Sequence, residues 1–189
     1  QANSLQELIA LAKAKPGQLN YGTSSAGGAG HLVGELFNLM AAVNIQHVPY
    51  KGTSQAIADV IGGQIQISIQ SAVSAIAHVR SGRLKGIAVS GDKRFRPLPQ
   101  VPTFAEGGLP GFDAKVVYGI LGPASIPAEI VDRLSGEIAK IQRTPAFQEK
   151  FATQGVEPYI LGPDQSAALM RAESARFDEI IKTAHIKLK

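Results

Sequence analysis

The feature that most constrains this chain is a short apolar stretch, a glycine-rich loop and a helical repeat that follow one another without interruption. Residues 19–22 read as a buried strand, residues 23–30 carry Gly27, Gly28 and Gly30, and Leu32, Leu36, Leu39 and Met40 then recur at helical spacing. The unit repeats. Residues 45–49 predict a second strand, Tyr50-Lys51-Gly52 a turn, and residues 53–61 a helix stopped by Gly62-Gly63. Residues 65–69 predict the next strand, 73–79 a helix and 84–89 a further strand. Strands alternating with helices across short loops imply an α/β protein with a largely parallel sheet.

Two capping boxes mark helix starts, Ser4 with Glu7 and Thr103 with Glu106, because each pair can satisfy two unpaired backbone N–H groups reciprocally. The first opens a helix that runs to about Lys15 and is stopped by Pro16-Gly17. The second opens a short helix closed by Gly107-Gly108. Residues 112–121 read as a long extended stretch, and the remainder is mainly helical. Pro127 suits a first helical position ahead of a buried stripe of Ile130, Leu134, Ile138 and Ile141. Residues 156–160 predict a short strand, and Gly162-Pro163 opens a last helix buried through Ala167, Met170, Phe177 and Ile181. The change of pattern near Pro110-Gly111 divides the chain into residues 1–110 and 111–189.

Composition removes several function classes. At 189 residues and 44% apolar content the chain can bury a core, and no run approaches the roughly 18 apolar residues that span a bilayer. The opening Gln1-Ala2-Asn3-Ser4 lacks the charged-then-apolar pattern of a secretion signal, so such a signal is expected to have been removed or never present. The absence of cysteine excludes disulfides, thiolate metal sites and cysteine nucleophiles. The net charge of +4 is dispersed, and its densest stretch, residues 80–96, lacks the aromatic interleaving of a single-strand nucleic-acid binder. It reads as solvated surface.

The four histidines, His31, His47, His78 and His185, read as isolated from one another and from carboxylates. Ser90 and Lys93 match a Ser-x-x-Lys spacing without its companion motifs, and neither a Gly-x-Ser-x-Gly elbow nor a Gly-Lys-Ser/Thr phosphate loop occurs. With no nucleophile–base pair or metal cluster, the chain is not expected to be an enzyme, and no cofactor is implied.

Glycine-rich turns between a strand and a helix also serve dinucleotides. Those sites place an acidic residue at the end of the next strand, and here that position is Pro49-Tyr50. What remains is a ring of backbone N–H groups from Gly27, Gly28, Ala29 and Gly30 at a helix start, flanked by the hydroxyls of Thr23, Ser24 and Ser25. Unpaired N–H groups and the helix dipole both favour a negative charge there. The alternative is that the glycines only permit a tight turn.

The sequence around this loop resembles the tripartite tricarboxylate transporter receptors, also called the Bug family. The resemblance rests on residues 19–25, then His31-Leu32 and Glu35-Leu36-Phe37, His47-Val48-Pro49-Tyr50-Lys51-Gly52 and Gly62-Gly63-Gln64. It continues through Pro99-Gln100-Val101-Pro102-Thr103, Gly108-Leu109-Pro110-Gly111, Gly119-Ile120-Leu121, Pro123-Ala124 and Pro127, and so covers essentially the whole chain.

The resemblance implies a two-lobed periplasmic-binding-protein-like fold of type II. In this fold a loop from each lobe holds a carboxylate, commonly of a dicarboxylate, a tricarboxylate or an acidic amino acid, for delivery to a membrane transporter. It implies that residues 1–110 form the complete second lobe, and that residues 111–189 form the C-terminal part of an incomplete first lobe, with 112–121 crossing between them. The first-lobe loop would then be absent, ligand binding by this chain weak or lost, and self-association a consequence of exposed sheet edge and apolar surface.

The implied site is the loop 23–30 on the carboxylate, Gln70 and Ser71 at the distal end of the ligand, and Tyr118 lining the cleft or simply packing. Lys51 reads as a solvated turn lysine. Three departures point to a ligand unlike the family's best-known ones. Gly28-Ala29 stands where hydroxyl residues are usual, Gln70-Ser71 where Asp-Asn is usual, and Val117 where a tryptophan is common. A cytoplasmic effector-sensing domain of a regulator shares such an architecture and is the alternative.

Overall fold

A computed structural model describes residues 2–115, 117–183 and 186. The chain divides into two compact units, one of residues 1–116 with 179–189 and one of residues 117–178.

The first unit begins with α1 (Leu5–Ala14), whose capping bond runs from Glu7 N–H to Ser4 Oγ at 3.2 Å while the Glu7 carboxylate accepts from Asn3 N–H at 2.7 Å. It leads to β1 (Asn20–Thr23), α2 (Ala29–Ala41), β2 (Gln46–Pro49), α3 (Thr53–Ile61), β3 (Ile67–Ser68) and α4 (Ala72–Arg80). The three strands form a parallel sheet in the order β2-β1-β3, with Tyr21 opposite His47 on one side and Ile67 on the other. Because β1 is central, three of its four residues are buried.

Side chains alternate across a strand, so neighbouring residues of β1 meet different helices. Tyr21 faces α2, where an added Cβ on Gly34 would overlap its ring. Gly22 faces the other way, where an added Cβ would come within 2.5 Å of Ile65 and 3.2 Å of Ala56 in α3. Glycine at both positions lets a helix approach each face closely. The core combines Leu5, Leu8 and Ala12 of α1 with Tyr21, Phe37, Ala41, Ile45, Leu109, Phe112 and Ala114. The Asn38 side chain pins the start of β2, donating to Ile45 C=O at 2.9 Å and accepting from its N–H at 3.1 Å.

Some expected elements are reduced. Only Ile67 and Ser68 of the 65–69 stretch pair with β1, although Ile69 N–H adds a bond to Gly22 C=O at 3.0 Å. Residues 84–89 form no strand; Val89 makes one isolated parallel bridge to Thr103. The Thr103 capping box does form, through Thr103 N–H to Glu106 Oε2 at 2.8 Å and Glu106 N–H to Thr103 Oγ1 at 3.1 Å. No helix follows it, because Gly107 and Gly108, the latter at φ 93°, end the segment after one turn. Bonds from Arg94 and from Thr103 N–H hold the Glu106 carboxyl below its ordinary range.

The second unit contains α5 (Ala128–Gln142) and α6 (Pro145–Ala152), and α7 (Pro163–Thr183) begins in it. Pro127 caps α5 from outside instead of occupying its first turn. Neither 112–121 nor 156–160 forms a strand among the described residues, and Val116 lies outside them. The expected buried stripe is not buried. Ile130, Leu134 and Ile141 are 43, 50 and 54% exposed, and Met170 of α7 is exposed as well. Ile180 is the buried residue of α7. The helical periodicity holds, but among the described residues that face stays exposed.

Candidate anion-binding site

Order β2-β1-β3 makes the chain leave β1 toward one edge and return on the other side, so the topological switch point lies between β1 and β3. Ligands of open parallel sheets bind beyond the carboxyl ends of strands at such a point. The loop 23–30 follows β1, and Gln70-Ser71 follows β3. The loop approaches the end of β3 at Gly30, where an added Cβ would sit 3.0 Å from the C=O of Ile69, the residue before Gln70, and 3.3 Å from Thr23 Cβ.

Within the loop the candidate residues have different jobs. Thr23 is buried, its hydroxyl donating to Ser25 C=O at 2.9 Å and lying 2.7 Å from His47 Nε2, so it supports the loop instead of facing a ligand. Ser24 and Ser25 are exposed. Gly27, at φ 71°, is a position that glycine alone adopts without strain, and its N–H donates to His31 Nδ1 at 3.0 Å. Gly28 is the N-cap of α2, with no side-chain capping bond. Among the described residues no protein group accepts from the N–H groups of Gly28, Ala29, Gly30 and His31. These donors at the positive end of a 13-residue helix are the chemistry of the site.

Across the switch point, Gln70 is half-buried and donates to Ser68 Oγ at 2.9 Å, while the exposed Ser71 begins α4 without a side-chain capping bond. Lys51 is exposed in the turn after β2. Tyr118 is 76% exposed and belongs to the second unit. No group of histidines and carboxylates that could hold a metal occurs among the described residues.

The histidines correct the expectation drawn from their spacing. His31 and His47 are stacked, with ring centroids 3.9 Å apart and planes 12° from parallel. His31 Nε2 is 3.8 Å from Glu35 Oε1, the same oxygen that accepts from Tyr21 O–H at 2.6 Å. Burial, followed by the neighbouring His31 ring, pushes His47 down to about 4. Burial and the bond to Glu35 raise the Tyr21 phenol far above its ordinary value. His185 lies outside the described residues. This cluster was detectable in principle, because a parallel register of β1 with β2 sets His47 beside Tyr21, and His31 lies one helical turn past Gly27.

Residues 1–186 match the family described as the tripartite tricarboxylate transporter family receptor. The chain belongs to this receptor family. It is 34% identical over 187 residues to protein BugT of Bordetella pertussis, covering 99% of this chain and 57% of BugT. The structure of R. palustris Rpa4515 with adipate is 33% identical at a TM-score of 0.90, with 98% of this chain and 62% of that one covered. Periplasmic binding protein BugD matches at 26% identity and a TM-score of 0.82, over all of this chain and 64% of BugD. The chain thus spans between half and two-thirds of the length of these relatives. Their fold is the α/β fold seen here, and the family is one of receptors, not of enzymes. No helix among the described residues is long and apolar enough to cross a membrane.

Proposed function

We propose that this chain is the ligand-holding part of an extracytoplasmic receptor, and that its glycine loop captures one carboxylate of a small dicarboxylate for delivery to a tripartite tricarboxylate transporter. The observation that carries the reading is the row of unpartnered N–H groups from Gly28 to His31 at the switch point. A carboxylate accepts there without a guanidinium, since each charge-assisted N–H bond to an anion contributes about 1.5–3 kcal/mol. Membership of the receptor family and the adipate in a structure 33% identical to this chain support the ligand class. Ser24 and Ser25 add hydroxyl donors at the rim. Gln70 and Ser71, on the other side of the switch point, face the remainder of the ligand.

Amide NMR with adipate added to millimolar concentration tests this even where affinity is low. The signals of Gly28, Ala29, Gly30 and His31 should shift saturably. Gly28→Val should abolish the shifts without unfolding the chain, because the nearest atom to an added Cβ is the movable Ser25 hydroxyl. Lys51→Ala should leave them in place. Equal loss in both variants, or shifts centred elsewhere, would move the anion site off the loop.

A further inference from the structure

We propose that His31 and His47 position the anion-binding loop, and that capture of a carboxylate requires His31 to be neutral; the second clause rests on the reading of the loop given above. Counting hydrogens assigns both rings. Thr23 has one hydroxyl proton and directs it to Ser25 C=O, so the 2.7 Å contact with His47 must be donated by His47 Nε2–H. Gly27 N–H donates to His31 Nδ1, so that nitrogen is bare and a neutral His31 carries its proton on Nε2, toward Glu35. One ring therefore sets the start of the loop through Thr23, and the other sets its glycine turn through Gly27.

A proton added to His31 Nδ1 would remove the acceptor of Gly27 N–H and point two hydrogens at each other. The turn at φ 71° would lose its anchor, and with it the alignment of the N–H groups that follow. A charge on one ring would also face the other ring only 3.9 Å away. Among the described residues, the titratable groups in contact with one another on this face of the sheet are Tyr21 from β1, His31 and Glu35 from α2 and His47 from β2. Asp59 of α3, bonded to Tyr50, lies across the opposite face beside Gly22. Since His47 is held down to about 4, it stays neutral in mild acid, and His31 is the ring under test.

The experiment compares the full chain with His31→Asn and His31→Leu, using adipate as the probe from about pH 8 down to about pH 5.5. Asparagine keeps an acceptor near the Nδ1 position but has no proton to gain. Expected for the wild type are Nε2–H tautomers on both rings in nitrogen-edited spectra, a Gly27 amide signal that follows protonation of the His31 ring, and adipate binding that weakens roughly tenfold when that ring is protonated, as for loss of one hydrogen bond. His31→Asn should lose the extra pH dependence whatever its affinity at the upper pH, and His31→Leu should bind more weakly than His31→Asn at every pH. The ratio of wild type to His31→Asn at each pH cancels protonation of adipate itself.

An Nδ1–H tautomer on His31, or the same pH slope in His31→Asn as in wild type, overturns the proposal. Adipate shifting no loop amide in any of the proteins overturns the anion-site reading and the pH-dependent capture built on it. A Gly27 signal that still follows the His31 ring in wild type, and not in His31→Asn, would then support the positioning role by itself.

Discussion

Helices α1 and α5 carry apolar stripes of the same kind, yet α1 buries Leu5, Leu8 and Ala12 while α5 leaves Ile130, Leu134 and Ile141 largely in water. The difference lies in what each stripe has to face. In the first unit a parallel sheet with helices on both faces supplies apolar partners. In the second, residues 117–178 include no buried residue among those described, and aromatic packing is local, as in the stacking of Phe147 on Phe151. Amphipathicity decides which side of a helix turns from water, but burial requires a second layer. Such an exposed stripe is the surface on which self-association would act, and sedimentation of the chain over a concentration series would detect it.

The contrast can be broken most sharply at Gly34. A branched side chain there overlaps the buried Tyr21 ring, so Gly34→Val should abolish the cooperative unfolding of the first unit in urea, monitored by circular dichroism. An unchanged midpoint would mean that α2 does not pack on β1 as described. Next in size, Leu5→Ala should cost about 2–5 kcal/mol, the range for emptying a leucine-sized volume in a packed core.

A smaller effect follows from His47. The unfolded chain holds this ring at its ordinary value of about 6.5, and the folded chain at about 4. Below pH 6.5 the unfolded state therefore takes up a proton that the native state refuses. Stability is full above about 6.5 and falls as pH drops toward about 4. His47→Gln, which can still donate to Thr23, should flatten that part of the urea-midpoint profile. The second unit contains no histidine, so amide exchange in α5 should show no change attributable to this ring. The smallest effect belongs to Leu134→Ala, which removes a half-exposed side chain from α5 and should alter stability by no more than about 0.5 kcal/mol. A cost like that of Leu5→Ala would show that the stripe is covered in solution.

What the sequence determined by itself was local in range. The helix starts at Ser4 and Thr53, the stops at Pro16-Gly17 and Gly62-Gly63, the glycine loop between β1 and α2, and the reciprocal bonds of Thr103 with Glu106 each depend on residues a few positions apart. The α/β alternation followed from those signals, and with it the placing of an anion-favouring helix start. The tertiary structure decided whatever required distant segments to meet. Strand order put Ile69, the residue before Gln70-Ser71, beside Gly30, register put His47 against Thr23 and under His31, and the α5 stripe was left exposed. Residues 84–89 are as apolar as a strand needs to be, but a ladder also requires a partner strand, and at Val89 the chain offers one bridge. Capping and turn chemistry close within about four residues, whereas pairing and burial depend on contacts across the fold that no window of sequence contains.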